Sequence, residues 1–339
     1  MGRGKREFIA SFLDRSGVLR LLESAPFGNS LVVLNYHRVI EPAECPYDRA
    51  VISATPDQFF EQVSYLQSRF RLMSLPGLIA HLEGRERLRG SHLMITFDDG
   101  YFDNYRYAFP VLRAAGVPAV FFPPTSYIGT TTVPWWDQIA NLLRRSVHRK
   151  IRLDYPEERV FDLGDDTLEE TIRTVLRLFK SPAVRNTERF LEMLERECGV
   201  ERETAADPPL FIGWDQAREM ADQGMSIGSH SHSHGILSKM TLEEQREELR
   251  VSRERLEEEL DREVTALAIP VGGRDCFNRD TETALRDTGY RAAFSFYDGA
   301  NRMDAIQRYD IRRTGVEREM GFSRVRFKAT AGARVGRVW

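Results

Sequence analysis

Short runs of apolar, β-prone residues recur along this chain, and segments with helical periodicity fill the spaces between them. The runs lie at 31–36 (LVVLNY), 92–97 (HLMITF), 118–122 (PAVFF), 226–228 (SIG), 266–271 (ALAIPV) and 292–296 (AAFSF), with a further candidate at 309–316. Strands that alternate with helices in this way pair in parallel through right-handed crossovers. Six or seven of them predict an α/β fold that closes into a (β/α) barrel, or into a barrel missing a strand.

Between the strands, residues 56–70 read as a helix: Thr55 can cap it, Pro56 suits its first turn, and Phe59, Phe60, Val63 and Leu66 share a face. A second helix is predicted over 102–115, ended by Gly116 and followed by Pro118. Thr241 and Glu244 form a capping box ahead of a highly charged helix over 241–262, which reads as a solvated outer face without chemistry. Residues 140–210 differ in being charged and largely helical with no convincing strand, so they read as an inserted cap within a domain spanning 30–330. Residues 1–29 form an extension in which Phe8, Ile9, Phe12, Leu13, Leu19 and Leu21 suit a short amphipathic helix. Such a helix packs on the parent domain or makes a peripheral contact with a membrane.

Composition narrows the class without changing the fold. At 339 residues with 42% hydrophobic and 29% charged residues, the chain can bury a large core, and its formal net charge of -3 gives no electrostatic reason to bind nucleic acid. Cys45, Cys198 and Cys276 lack any zinc-finger spacing. With neither a signal peptide nor an apolar stretch of about 18 residues, a cytoplasmic location without a membrane span is the expectation.

Chemistry concentrates at two places. Thr96-Phe97-Asp98-Asp99-Gly100 ends the apolar run HLMITF, and at the C-terminal edge of a strand the turning chain can aim two neighbouring carboxylates into one pocket. Two buried like charges are costly unless a positive charge joins them, and a divalent cation meets that need. One carboxylate then binds the metal while the other remains free for proton transfer. The second place is GSHSHSHG at 228–235, where three of the chain's seven histidines fall within five residues. His230 and His234, four apart, can converge on one ion with Asp99, while His232 points away.

These motifs resemble the polysaccharide deacetylases of the NodB-homology type, carbohydrate esterase family 4. TFDDG is similar to that family's first motif, and His230, Ser231 and His234 fit its second, a His-(Ser/Thr)-x-x-His pattern. The resemblance implies a distorted, incomplete (β/α) barrel related to the TIM barrel, with its site at the C-terminal strand ends. It further implies Asp98 as general base, Asp99, His230 and His234 as ligands of one divalent metal, and an N-acetylated carbohydrate as substrate. Zinc is the first expectation for the ion, with cobalt, nickel or iron also suited to the ligands.

Two departures stand out. The family's Arg-x-Pro motif is replaced here by Ala268-Ile269-Pro270-Val271-Gly272, and no histidine follows His234 to supply the usual general acid. His37 in Asn35-Tyr36-His37-Arg38-Val39 follows an apolar strand and resembles the Tyr-His element of rearranged family members, which implies that it is the acid. Arg308, Arg312 and Arg313 are candidates to replace the missing arginine. The Val271 backbone N–H is the candidate oxyanion donor, and Tyr101 and Trp136 are candidates to line the sugar cleft. The departures also keep open a carbohydrate-binding protein without turnover, or a deacylase for another amide or an ester.

Overall fold

A computed structural model describes residues 10–19, 29–181 and 183–331. The chain divides into two compact units, one formed by residues 1–39, 53–130 and 211–339, the other by 40–52 and 131–210.

Parallel strands build the first unit. Ser30–Tyr36 pairs with Ser91–Asp98 along its whole length, Ser91–Asp98 pairs with Ala119–Phe122, and Ala119–Phe122 pairs with Ser226–Ile227. A parallel bridge from Ser229 to Leu267 leads on to Ala266–Ala268, then Ala292–Ser295, then Ile311–Arg312. One residue later, Thr314–Gly315 pairs back onto Ser30–Tyr36, which closes the ring. The expected α/β barrel is therefore present, and every predicted apolar run contributes a strand.

Strand alternation sorts the residues into two cores. Val32, Leu34, Leu93, Ile95, Phe97 and Phe121 face outward and pack against helices through Phe59, Val63, Leu66, Phe109 and Leu112. Leu31, Val33, Met94, Val120, Phe122, Ala268 and Phe294 gather in a second cluster on the opposite strand faces, with Leu75, Leu78 and Ile79 of the Leu75–Leu82 helix. Asn35, Thr96 and Asp98 continue that inner register, so the interior turns polar at the C-terminal strand ends.

The predicted helices form where their caps allow. Pro56–Arg69 begins with a complete capping box between Thr55 and Gln58, and Leu242–Leu260 begins with one between Thr241 and Glu244. The helix expected over 102–115 contains a π turn at Asn104–Ala108 before the regular α turns Phe109–Ala115, and it stops at Gly116 in the left-handed conformation. Of the amino-terminal extension, Phe8, Ile9 and Leu21 lie outside the described residues. Ala10 and Leu19 pack on Phe327 of the helix Phe322–Ala331, and Asp14 pairs with Arg326 of the same helix. Among the described residues no helix is long and apolar enough to cross a membrane.

The second unit corrects one expectation. It contains the helices Trp135–Arg145, Leu168–Lys180 and Thr187–Cys198, but also an antiparallel hairpin of Lys150–Leu153 with Arg159–Asp162. Only Ile151 and Leu153 of the first strand are buried, and two apolar residues among charges are too short an alternation to stand out in the sequence.

In the first unit, Phe97 is fully buried and stacks on Phe121 with ring centroids 4.6 Å apart, with Tyr36 5.3 Å away on another side. Phe97→Ala is expected to lower stability by about 3–5 kcal/mol in urea unfolding, because the rigid strands around it cannot collapse into the space.

Candidate active site

Asp98 is the last residue of Ser91–Asp98 and Asp99 begins the turn, with φ 68°. The left-handed step breaks strand alternation, and this is how two consecutive carboxylates come to serve one site. Gly100 also has positive φ, and a Cβ there would lie 2.5 Å from that of Pro123, so the third position of the Asp-Asp-Gly motif admits no side chain.

The two carboxylates have different partners. Asp98, 2% exposed, is gripped in bidentate fashion by Arg313: Nη1 donates to Oδ1 at 2.6 Å and Nη2 donates to Oδ2 at 2.8 Å. Asn35 donates to the same carboxylate at 3.1 Å, and its own amide oxygen accepts from Arg313 at 2.8 Å and from Thr96 at 2.7 Å. Burial pushes the Asp98 carboxyl up, but the positive charges of Arg313 and His230 outweigh it and hold the group below the usual carboxylate range.

Asp99 instead faces the histidines. Its Oδ1 lies 3.5 Å from His230 Nε2 and 3.4 Å from His234 Nε2, and one ligand atom from each of the three side chains lies within 4.8 Å of the others. Two ligands bonded to one tetrahedral ion at about 2.0–2.2 Å sit about 3.3–3.6 Å apart, so these spacings suit a divalent cation. His230 Nδ1 lies 2.7 Å from the carbonyl oxygen of Ala268. Donation of the Nδ1 proton to that carbonyl orients the ring so that Nε2 faces Asp99. Burial raises the Asp99 carboxyl, yet hydrogen bonds from His230 and His234 and the charge of His37 bring it well below its ordinary value. His232 is turned aside, with Nδ1 2.9 Å from the Thr125 hydroxyl, as its place in the motif predicts.

His37 sits at the end of the neighbouring strand. Its backbone N–H donates to Ser53 Oγ at 2.9 Å and its carbonyl accepts from Asn104 at 2.7 Å. The next residue, Arg38, makes a buried ion pair with Asp103 at 2.8 Å. The half-buried imidazole meets Phe296 edge to face at 5.5 Å, and its charge contributes to lowering both Asp98 and Asp99. Val271 holds φ 61°, an unfavourable conformation for a β-branched residue, and among the described residues its backbone N–H donates to no protein acceptor.

The structure decides among the three arginines. Arg308 donates to the Leu82 carbonyl and Arg312 lies over the Tyr297 ring, whereas Arg313 is fully buried against Asp98. It reaches the carboxylate from the one-residue gap between Ile311–Arg312 and Thr314–Gly315, at the seam of the barrel.

Two other expectations are corrected. Tyr101 is fully buried, stacked on Phe211 at 5.0 Å with the Arg38 guanidinium 4.3 Å from its ring centre, so it offers no face to a sugar. Trp136 belongs to the second unit and is 5% exposed, with its ring edge to face with Trp135. Aromatic residues beside a motif were drawn into cores by their apolar area. Asn35 and Thr96 were missed, although a polar side chain at every second position of an apolar strand is a readable signal.

The sequence model of the family described as polysaccharide deacetylase matches residues 85–150 and 158–293, and the chain belongs to that family. YxkH of Bacillus subtilis (strain 168), itself assigned to the polysaccharide deacetylases, is 24% identical over 212 residues, which are 62% of this chain and 47% of the relative. The poly-beta-1,6-N-acetyl-D-glucosamine N-deacetylase of Escherichia coli O157:H7 is 29% identical over 162 residues, 46% of this chain and 24% of the relative. The chain thus spans half or less of these curated relatives. In fold, IcaB from Ammonifex degensii superposes with a TM-score of 0.58 at 19% identity, over 90% of this chain and 98% of that one. The Streptococcus pyogenes deacetylase PplD, solved with acetate, gives 0.56 at 16% identity over 90% and 99%. Both likenesses establish the barrel of these deacetylases as the fold.

Arg313→Ala is expected to cost about 3–5 kcal/mol in urea unfolding because it strands a buried carboxylate, whereas Arg308→Ala on the exposed surface should change stability by less than about 0.5 kcal/mol. The sign with pH follows from the depressed Asp98 value. The pair stabilises the fold fully above the unfolded carboxylate pKa of about 3.9 and loses that contribution as pH falls through the lower folded value. The stability difference between wild type and Arg313→Ala should therefore shrink in acid.

Proposed function

We propose that the chain is a metal-dependent carbohydrate N-deacetylase that hydrolyses the acetamide of an N-acetylated sugar. One observation carries the reading: Asp98 is held ionised by Arg313 outside the Asp99, His230 and His234 cluster, yet stands beside it at the same strand end. A carboxylate next to a ligand set, and not in it, is what a general base beside a metal requires. The family and the deacetylase names of the relatives support the same chemistry.

Asp99, His230 and His234 would hold the ion, zinc by first expectation and cobalt, nickel or iron as alternatives. When bound, such a cation polarises the acetamide carbonyl and acidifies the attacking water. Asp98 takes the proton from that water. The Val271 N–H, without a protein acceptor among the described residues, donates to the developing oxyanion. Protonated His37 gives its proton to the departing amine, and acetate and the free amino sugar are released.

Activity is read as acetate release from N-acetylated oligosaccharides with and without a chelator. Asp98→Asn should keep zinc and lose activity by on the order of 10²-fold or more, while His230→Ala loses both. His37→Ala should lower kcat by on the order of 10²-fold with KM nearly unchanged. A near-normal rate for Asp98→Asn removes the base assignment, and sugar binding without acetate release from the wild type would favour a non-catalytic carbohydrate-binding protein.

A further inference from the structure

The helix Leu242–Leu260 is highly charged, and its sequence suggests nothing beyond a wet outer face. One stripe of it is nevertheless buried, at Gln245, Leu249, Ser252, Leu256 and Leu260. Ser252, fully buried, donates its hydroxyl proton to the Ser231 carbonyl at 2.9 Å and lies 2.8 Å from Ser229 Oγ. Because that proton is committed to Ser231, Ser229 must be the donor in the second contact. Ser229 Oγ in turn accepts from the Ser231 N–H at 3.1 Å, and Ser231 Oγ accepts from the His234 N–H at 3.1 Å. The hydrogen-bond directions therefore form a single consistent chain from the helix to the backbone of His234.

One helical turn earlier, Glu248 accepts from both the N–H and the hydroxyl of Ser233, the latter at 2.8 Å. Ser252 and Glu248 thus grip the short segment between His230 and His234 at both ends. That segment needs a grip. Ser231 and His234 hold φ of 63° and 59°, and non-glycine residues keep left-handed backbone only where their surroundings impose it.

We propose that Ser252, assisted by Glu248, is a positioning residue for the metal ligands: the helix holds the 229–234 loop in its strained path and so sets the spacing of the two imidazoles. The proposal rests on the metal-binding half of the functional reading and is independent of the substrate. It makes the affinity for the ion depend on a hydroxyl that touches neither the ion nor a substrate.

The test uses the full chain with Zn²⁺ alone, titrated in competition with a chromophoric chelator, together with the visible spectrum of the Co²⁺-substituted protein. Ser252→Ala should weaken Zn²⁺ by roughly 10- to 100-fold and alter the Co²⁺ bands, as loss of an orienting partner of a ligand does. Ser252→Thr, which keeps the hydroxyl, should restore both. Glu248→Ala, a half-buried position that tolerates truncation, should weaken Zn²⁺ in the same direction, and the double variant should be non-additive because both residues act on one loop. A purely structural serine would lower the unfolding midpoint of the metal-free protein and leave Zn²⁺ affinity and the Co²⁺ spectrum unchanged. Affinity within twofold of wild type in both Ser252→Ala and Glu248→Ala overturns the proposal, and if Ser252→Ala does not fold, Glu248→Ala decides alone. Failure of the wild type to bind Zn²⁺ removes the metal centre itself, and the positioning role with it.

Discussion

Two adjacent carboxylates, 2% and 5% exposed, share the end of one strand, and the architecture around them answers the cost of burying that charge. Each carboxylate has its own compensation. A fixed guanidinium holds Asp98 ionised, and Asp99 has two imidazoles arranged as a cation site. The partition gives two adjacent identical residues different electrostatic surroundings.

Compensation of Asp98 is tied to the closure of the barrel. Arg313 sits between the segment that pairs with Ala292–Ser295 and the segment that pairs with Ser30–Tyr36, so its backbone is fixed by strands on either side. Its Nε also donates to the Ser295 carbonyl at 3.0 Å. A guanidinium arriving from the last strands takes up the charge that the Ala-Ile-Pro-Val run, with Ala268 in the inner apolar cluster, does not supply. The histidine side has a comparable anchor in Leu242–Leu260, whose buried Ser252 hydroxyl reaches the loop backbone. Strand closure and helix docking thus hold the two halves of the site separately.

Legibility in the sequence followed the range of the physical cause. Thr55 and Thr241 announced their helices because capping is settled within four residues, and each apolar run became a strand because burial on both faces favours apolar, β-prone residues along most of its length. Where the deciding contact lay far along the chain, the signal was weak. Nothing local distinguishes Arg313 from Arg308 or Arg312, since the choice depends on a carboxylate 215 residues away. Ser252 is hidden in a charged helix for the same reason, and Tyr101 and Trp136 suggested a sugar platform until packing claimed their rings.

By itself the sequence determined the succession of strands of an α/β barrel, the Asp-Asp-Gly motif and the histidine pair, because periodicity and ligand spacing are written in neighbouring residues. Only the tertiary structure decided which arginine neutralises Asp98, which serines support His234, and that among the described residues the Val271 N–H meets no protein acceptor. Those outcomes depend on directions in space that barrel closure creates, and no pattern along the chain encodes them locally.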